Sequence, residues 1–144
     1  MSSRTLIGVD PTSPAGQSIY ISSRHAWWDM VAVIDTLLWD RFAVNDDAVL
    51  EYLEDRDAKR LASLIDEVLA DGSAHDYLDR LFTREEEDFP REDDYEREVF
   101  INPDTGQPID WVRQRIEGRI DGTLEDLKKL SSFLKSCGGF LTEL

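Results

Sequence analysis

Apolar residues near the start of the chain recur with a period of two. In "QSIYIS", Ile19 and Ile21 alternate with polar positions and Tyr20 takes the other face, which predicts a short strand over 17–22. The preceding "DPTSPAG" is rich in turn residues, so residues 1–16 read as an extended N-terminal segment. The period then becomes helical. Trp27, Val31, Ile34 and Leu38 fall on one stripe, and Trp28, Met30, Val33, Leu37 and Trp39 widen it to most of the circumference. Only Asp29, Thr36 and Asp40 stay wet. A helix apolar on so many sides, capped by Ser22 or Ser23 and running to about Phe42, is expected at the centre of its domain. At this spacing the Trp pair reads as core rather than as an aromatic ligand box.

Asn45 or Asp46 can cap a short helix carrying Val49, Tyr52 and Leu53. "DAKRLASLIDEVLADG" is the clearest amphipathic helix: Ala58, Leu61, Ala62, Ile65, Val68 and Leu69 share a face, and Gly72 stops it. Residues 73–83 predict another short helix with Leu78, Leu81 and Phe82 inward. "EVFINPDTGQPI" reads as an extended segment, 98–102, and a turn built by Pro103, Asp104 and Gly106. Ile109, Val112, Ile116 and Ile120 mark a helix that Gly118 weakens. A last helix is expected over 123–137. It is capped by Thr123, whose spacing to Asp126 loosely resembles a capping box, and it carries Leu124, Leu127, Leu130, Phe133 and Leu134. Gly138-Gly139 ends it, and 139–143 can form a terminal strand. The sum is an α+β fold, mostly α-helical: a single compact domain with two or three short strands, and the 57–71 and 123–137 helices packed on the Trp-rich one.

Three stretches, "SIYISSRHAWWDMVAVIDTLLW", "DRDAKRLASLIDEVLA" and "LEDLKKLSSFLKSCGGF", resemble a pattern seen in small uncharacterised bacterial proteins. There a strand leads into a Trp-containing helix, a helix with a "DA…LA…L" core follows, and a last helix ends in "F…GGF" before a strand. The resemblance covers the first half and the last 25 or so residues. It implies architecture and no activity, so it carries no functional residue across.

The 144 residues suffice for one domain with a real core. The single cysteine excludes an internal disulfide and suits a reducing compartment. The N-terminus lacks the apolar run of a signal peptide, and no segment approaches the roughly 20 apolar residues of a membrane span, so a cytoplasmic protein is expected. The net charge of −15 changes the picture more, because it is concentrated: residues 45–98 hold 20 acids against 7 bases. Such a field repels nucleic acid and anionic membrane and attracts basic proteins. Direct nucleic-acid binding, which needs clustered Lys and Arg, is not expected.

Candidate chemistry is sparse. His25 and Asp29 stand four apart, as do His75 and Asp79, and the two pairs together could ligate a divalent metal if their helices faced each other. With 31 acids in the chain, such spacing also arises by composition alone. Cys137 lies at a helix C-terminus, where the macrodipole disfavours a thiolate, and reads as a buried structural thiol. No phosphate loop, nucleophile elbow or EF-hand spacing is present, and no cofactor or catalytic residue is assigned.

The remaining feature is "REEEDFPREDDYERE", residues 84–98. Self-repulsion and Pro90 argue for an acidic surface loop, the least regular part of the chain between Ser18 and Phe140. Two functional readings compete with simple solvation. One is a docking surface for a basic protein, neutralised in the manner of an immunity protein, formed by Glu85, Glu86, Glu87, Asp88, Glu92, Asp93 and Asp94 with Phe89 and Tyr95 as anchors. The other is a nucleic-acid mimic, which would need an ordered and nearly all-acidic ridge. The sequence leaves the oligomeric state open.

Overall fold

In a computed structural model, which describes residues 4–21, 24–38, 52–89 and 101–143, four antiparallel strands are covered on one face by four helices. The expected mostly helical α+β arrangement holds. The strands are β1 (Arg4–Gly8), β2 (Ser18–Ile21), β3 (Tyr52–Glu54) and β4 (Gly139–Glu143), in the order β2-β1-β4-β3. Leu6, Ile19, Ile21, Leu53 and Phe140 point into the core, whereas Ile7, Tyr20, Tyr52 and Leu141 stand on the outer face. The pairs Ile7↔Leu141 and Leu141↔Tyr52 fix the register across three strands.

Two strands correct the sequence reading. β1 lies in the segment expected to be merely extended, yet it is an interior strand paired on both sides. Its outward Ile7 is apolar, so the alternation that marks a half-buried strand is hidden. Tyr52 and Leu53, expected in a short helix, instead form β3 against Leu141 and Phe140. The rest of that expected helix falls outside the described residues. Conversely, of the strand expected over 98–102, Ile101 and Asn102 do not join the sheet, and 98–100 fall outside the described residues. Ile101 makes a lone bridge to Pro108, and Asn102 accepts hydrogen bonds from the Gly106 and Asp104 amides in a tight turn.

The helices are α1 (Arg24–Val33), continued by a π-helical turn over Ile34–Leu38, then α2 (Asp55–Ala70), α3 (Ser73–Asp88) and α4 (Trp111–Ser136). α4 is one rod where two helices were expected. Its buried stripe of Ile116, Ile120, Thr123, Leu127, Leu130 and Leu134 runs unbroken past both Gly118 and Gly122. Packing along that stripe outweighs a propensity penalty of about 1 kcal/mol per glycine. Thr123 is therefore interior rather than a cap, and its hydroxyl donates to the Arg119 carbonyl at 2.9 Å. The helix start is capped by Asp110, which accepts from the Arg113 amide at 3.0 Å.

The Trp-rich helix shares the centre of the domain with α4. α4 touches α1, α2, α3 and β2, while α1 touches α3, α4 and β2 and its π-helical continuation reaches α2. α1 buries Trp27, Met30 and Val33 but leaves Trp28 49% exposed. The path from α4 into β4 turns on Gly138 and Gly139, both at positive φ. A Cβ on Gly138 would sit 2.2 Å from the Asp10 carbonyl oxygen, and one on Gly139 would sit 2.8 Å from that of Leu53. The N-terminal segment is stitched to this turn: the Asp10 amide donates to Cys137 O, and the Thr12 amide to Ser136 O.

Candidate functional site

Three arginines on α4 organise the acidic part of the molecule. Arg113 donates to Asp79 at 2.6 Å. Arg115 grips Glu86 through two parallel bonds of 2.8 and 2.7 Å, with both side chains largely buried. Arg119 makes the same two-bond fork on Asp29 of α1, at 3.0 and 2.8 Å, and reaches Glu85 of α3 at 2.6 Å with its remaining edge. Its guanidinium also lies 3.8 Å above the Phe82 ring. The planar fork suits this geometry, since lysine would supply one point charge where three directed contacts are made. Burial works against the Arg119 cation, but its hydrogen bonds to Asp29 and Glu85 outweigh that and raise its pKa.

Above this triad, α1, α3 and α4 bound a cleft of about 590 Å³. Asp29, Glu85 and Arg119 form its floor, with His25, Thr123 and Asp126 around it. Gly122 also faces the cleft, and nothing lies within 4 Å of where its Cβ would be. Among the described residues, three carboxylates thus share the cleft with one guanidinium. No arginine among those residues pairs with Asp126. Partial burial pushes its pKa up, the charges of Asp29 and Glu125 add to the rise, and Lys129 opposes it. The cleft is therefore short of positive charge, and a cation entering it would relieve that shortage.

The expected docking residues divide into three groups. Glu85 and Glu86 are not loop residues: 84–88 are the last turns of α3, and both side chains are tied to α4 arginines. Carboxylates at a helix C-terminus oppose its dipole, and the arginines from 29 and 34 positions away offset this. Glu87, Asp88 and Phe89 are exposed, Phe89 at 78%. Glu92, Asp93, Asp94 and Tyr95 lie outside the described residues.

The two His-x-x-x-Asp pairs are not assembled into one site. Asp29 belongs to Arg119 and Asp79 to Arg113, while His75 sits on the exposed side beside Asp76 at 3.5 Å. Among the described residues, no three His, Cys, Asp or Glu side chains converge as metal ligands. Cys137 is buried at the end of α4, as expected, and burial pushes its thiol pKa up. No helix among the described residues is long and apolar enough to cross a membrane.

Sequence reasoning missed Arg115 and Arg119. A signal was present: the two stand four apart on α4, beside the apolar positions Ile116 and Ile120, and within reach of a helix that ends in four consecutive acids. Comparison with known proteins finds no matching family model, no matching curated protein and no matching solved structure.

Proposed function

We propose that the chain is an acidic, non-enzymatic protein-binding module whose partner presents basic side chains. The observation that carries this reading is the cleft charge among the described residues: Asp29, Glu85 and Asp126 against Arg119, with Asp126 partly desolvated and opposed only by the charge of Lys129. A lysine or arginine from a partner supplies the missing cation. The exposed Glu87 and Asp88 beside Phe89 extend the negative surface and add an apolar anchor. Neutralising a basic enzyme, as an immunity protein does, uses this same physics. The mimic reading is less well supported, because the partly exposed Arg113 and Arg119 interrupt the acidic surface instead of leaving a uniform ridge.

The test is retention of proteins from the source cell on immobilised protein at low salt. Wild type is compared with a Glu87→Gln/Asp88→Asn/Asp126→Asn variant. A basic protein held by wild type, released by salt and lost from the variant is the expected result. Identical retention on both surfaces would sink the proposal.

A further inference from the structure

The edge of the sheet at β2 carries a second, differently charged surface. Among the described residues β2 is the outermost strand on its side. Its hydrogen-bonding phase follows from the register. The Gly8 amide donates to Gln17 O, which makes Gly8/Gln17 a hydrogen-bonded pair. Pairs of this kind alternate in an antiparallel ladder, so Leu6/Ile19 and Arg4/Ile21 are bonded and Ile7/Ser18 and Thr5/Tyr20 are not. The Val9 amide donating to Gly139 O gives the matching phase on the β4 side. The N–H and C=O groups of Ser18 and Tyr20 therefore point away from the sheet, at residues that are themselves exposed, Tyr20 at 63%.

A groove of about 450 Å³ runs along this edge, between β2 and α4. Lys128, Lys129 and Ser132 line its helix side, above the buried Phe133 ring. Lys128 contacts Glu125 at 3.2 Å on the exposed helix surface. Among the described residues no carboxylate lines the groove, and Lys128 and Lys129 are its charged groups. In a chain of net charge −15 this local sign stands against the global one.

We infer that the β2 edge and the Lys128/Lys129 groove form a docking site for an extended acidic peptide segment of another protein, which adds as a further strand. The backbone of Ser18 and Tyr20 supplies the ladder, and the side-chain alternation of a strand decides the sequence that fits. Residues of the added strand on the helix side lie over Lys128, Lys129 and Ser132 and are acidic. Those on the other side extend the exposed row that already holds Tyr20, and are apolar. The ligand is thus a strand alternating Glu or Asp with β-branched or aromatic residues. This site differs from the cleft between α1, α3 and α4, which selects the opposite charge, although Lys129 also acts on Asp126 of that cleft.

The experiment uses the full chain and a labelled synthetic peptide alternating valine with glutamate, with a glutamine version as control. The glutamate peptide is expected to bind at least about tenfold more tightly than the control and to weaken with salt. It should slow amide hydrogen exchange at Ser18 and Tyr20. Lys128→Glu/Lys129→Glu, confined to exposed positions, should abolish the preference. Tyr20→Pro removes an outward-facing amide of an edge strand and should weaken both peptides. Equal binding of the two peptides, or binding of neither, overturns the inference; in the latter case the lysines only guard the edge against pairing. Protection of Ser18 and Tyr20 in the peptide-free protein, accompanied by a dimer in sedimentation, overturns it too, since a second copy then occupies the edge.

Discussion

Arg119 and Asp29, 90 residues apart in the chain, are joined by two hydrogen bonds of 3.0 and 2.8 Å, and this fork ties α4 to α1. Asp29 is 7% exposed, so its charge has little water to fall back on. Arg119→Met keeps the bulk over Phe82 but strands the carboxylate. Breaking a buried pair from one side costs about 3–5 kcal/mol, and the exposure of a third of the arginine side chain lowers the expectation to about 2–3 kcal/mol. Asp29→Asn should cost less, because the amide can still accept from Arg119. Urea denaturation of the two variants measures both, and a loss below about 0.5 kcal/mol for Arg119→Met would contradict the structural role.

The adjacent tryptophans of α1 separate core from surface. Trp27 is 3% exposed and Trp28 is 49% exposed. Trp27→Ala should destabilise by about 3–5 kcal/mol, and Trp28→Ala by about 1 kcal/mol or less. Similar losses at the two positions would show that the helix is rotated from the orientation described here.

The glycines of α4 give a stabilising prediction. A Cβ at Gly118 or at Gly122 meets nothing within 4 Å, and neither has positive φ. Alanine at either should add about 0.5–1 kcal/mol through helix propensity and the lower entropy of the unfolded chain. Only Gly122 faces the acidic cleft. Gly118→Ala should leave binding of a basic partner intact, whereas Gly122→Ala narrows the cleft and should weaken it. Thermal unfolding and partner titration on the same samples separate the two effects.

The helices were legible because their apolar stripes are local and repeated. α2 shows every expected inward residue from Ala58 to Val68 buried, and Gly72 ends it in the left-handed conformation. What escaped depends on partners distant in sequence. β1 becomes a strand because β2 and β4 flank it. Tyr52 and Leu53 become extended because β4 returns beside them. The 84–88 segment stays helical because α4 brings arginines to it. The acidic cleft was illegible for the same reason: His25, Glu85 and Asp126 lie on three helices, and only the packing of those helices gathers them.

Titration should separate the acids that stabilise the fold from Asp126. Asp66 is partly desolvated, but hydrogen bonds from Lys135 and Ser131 overcome that and lower its pKa. Asp79 is lowered by its hydrogen bond from Arg113. Both favour the folded state above the unfolded value of about 3.9, and that contribution is lost as pH falls through their lower folded values. Asp126 has the opposite sign. Its folded pKa is raised, so its ionised form costs stability at neutral pH, and the cost disappears as the pH drops below that folded value. Asp126→Asn should therefore stabilise the free protein at pH 7 by a few tenths of a kcal/mol, since the group is mostly screened by solvent. The gain should fade as the pH falls through the raised folded value, where the wild-type carboxyl takes up its own proton. The same variant should bind a basic partner more weakly at neutral pH, by about 1 kcal/mol or more if a lysine or arginine pairs with Asp126 in the cleft. Stability measured against pH and partner titration at fixed pH check the two halves together. A variant that is less stable at pH 7 and binds unchanged would show Asp126 to be an ordinary surface acid.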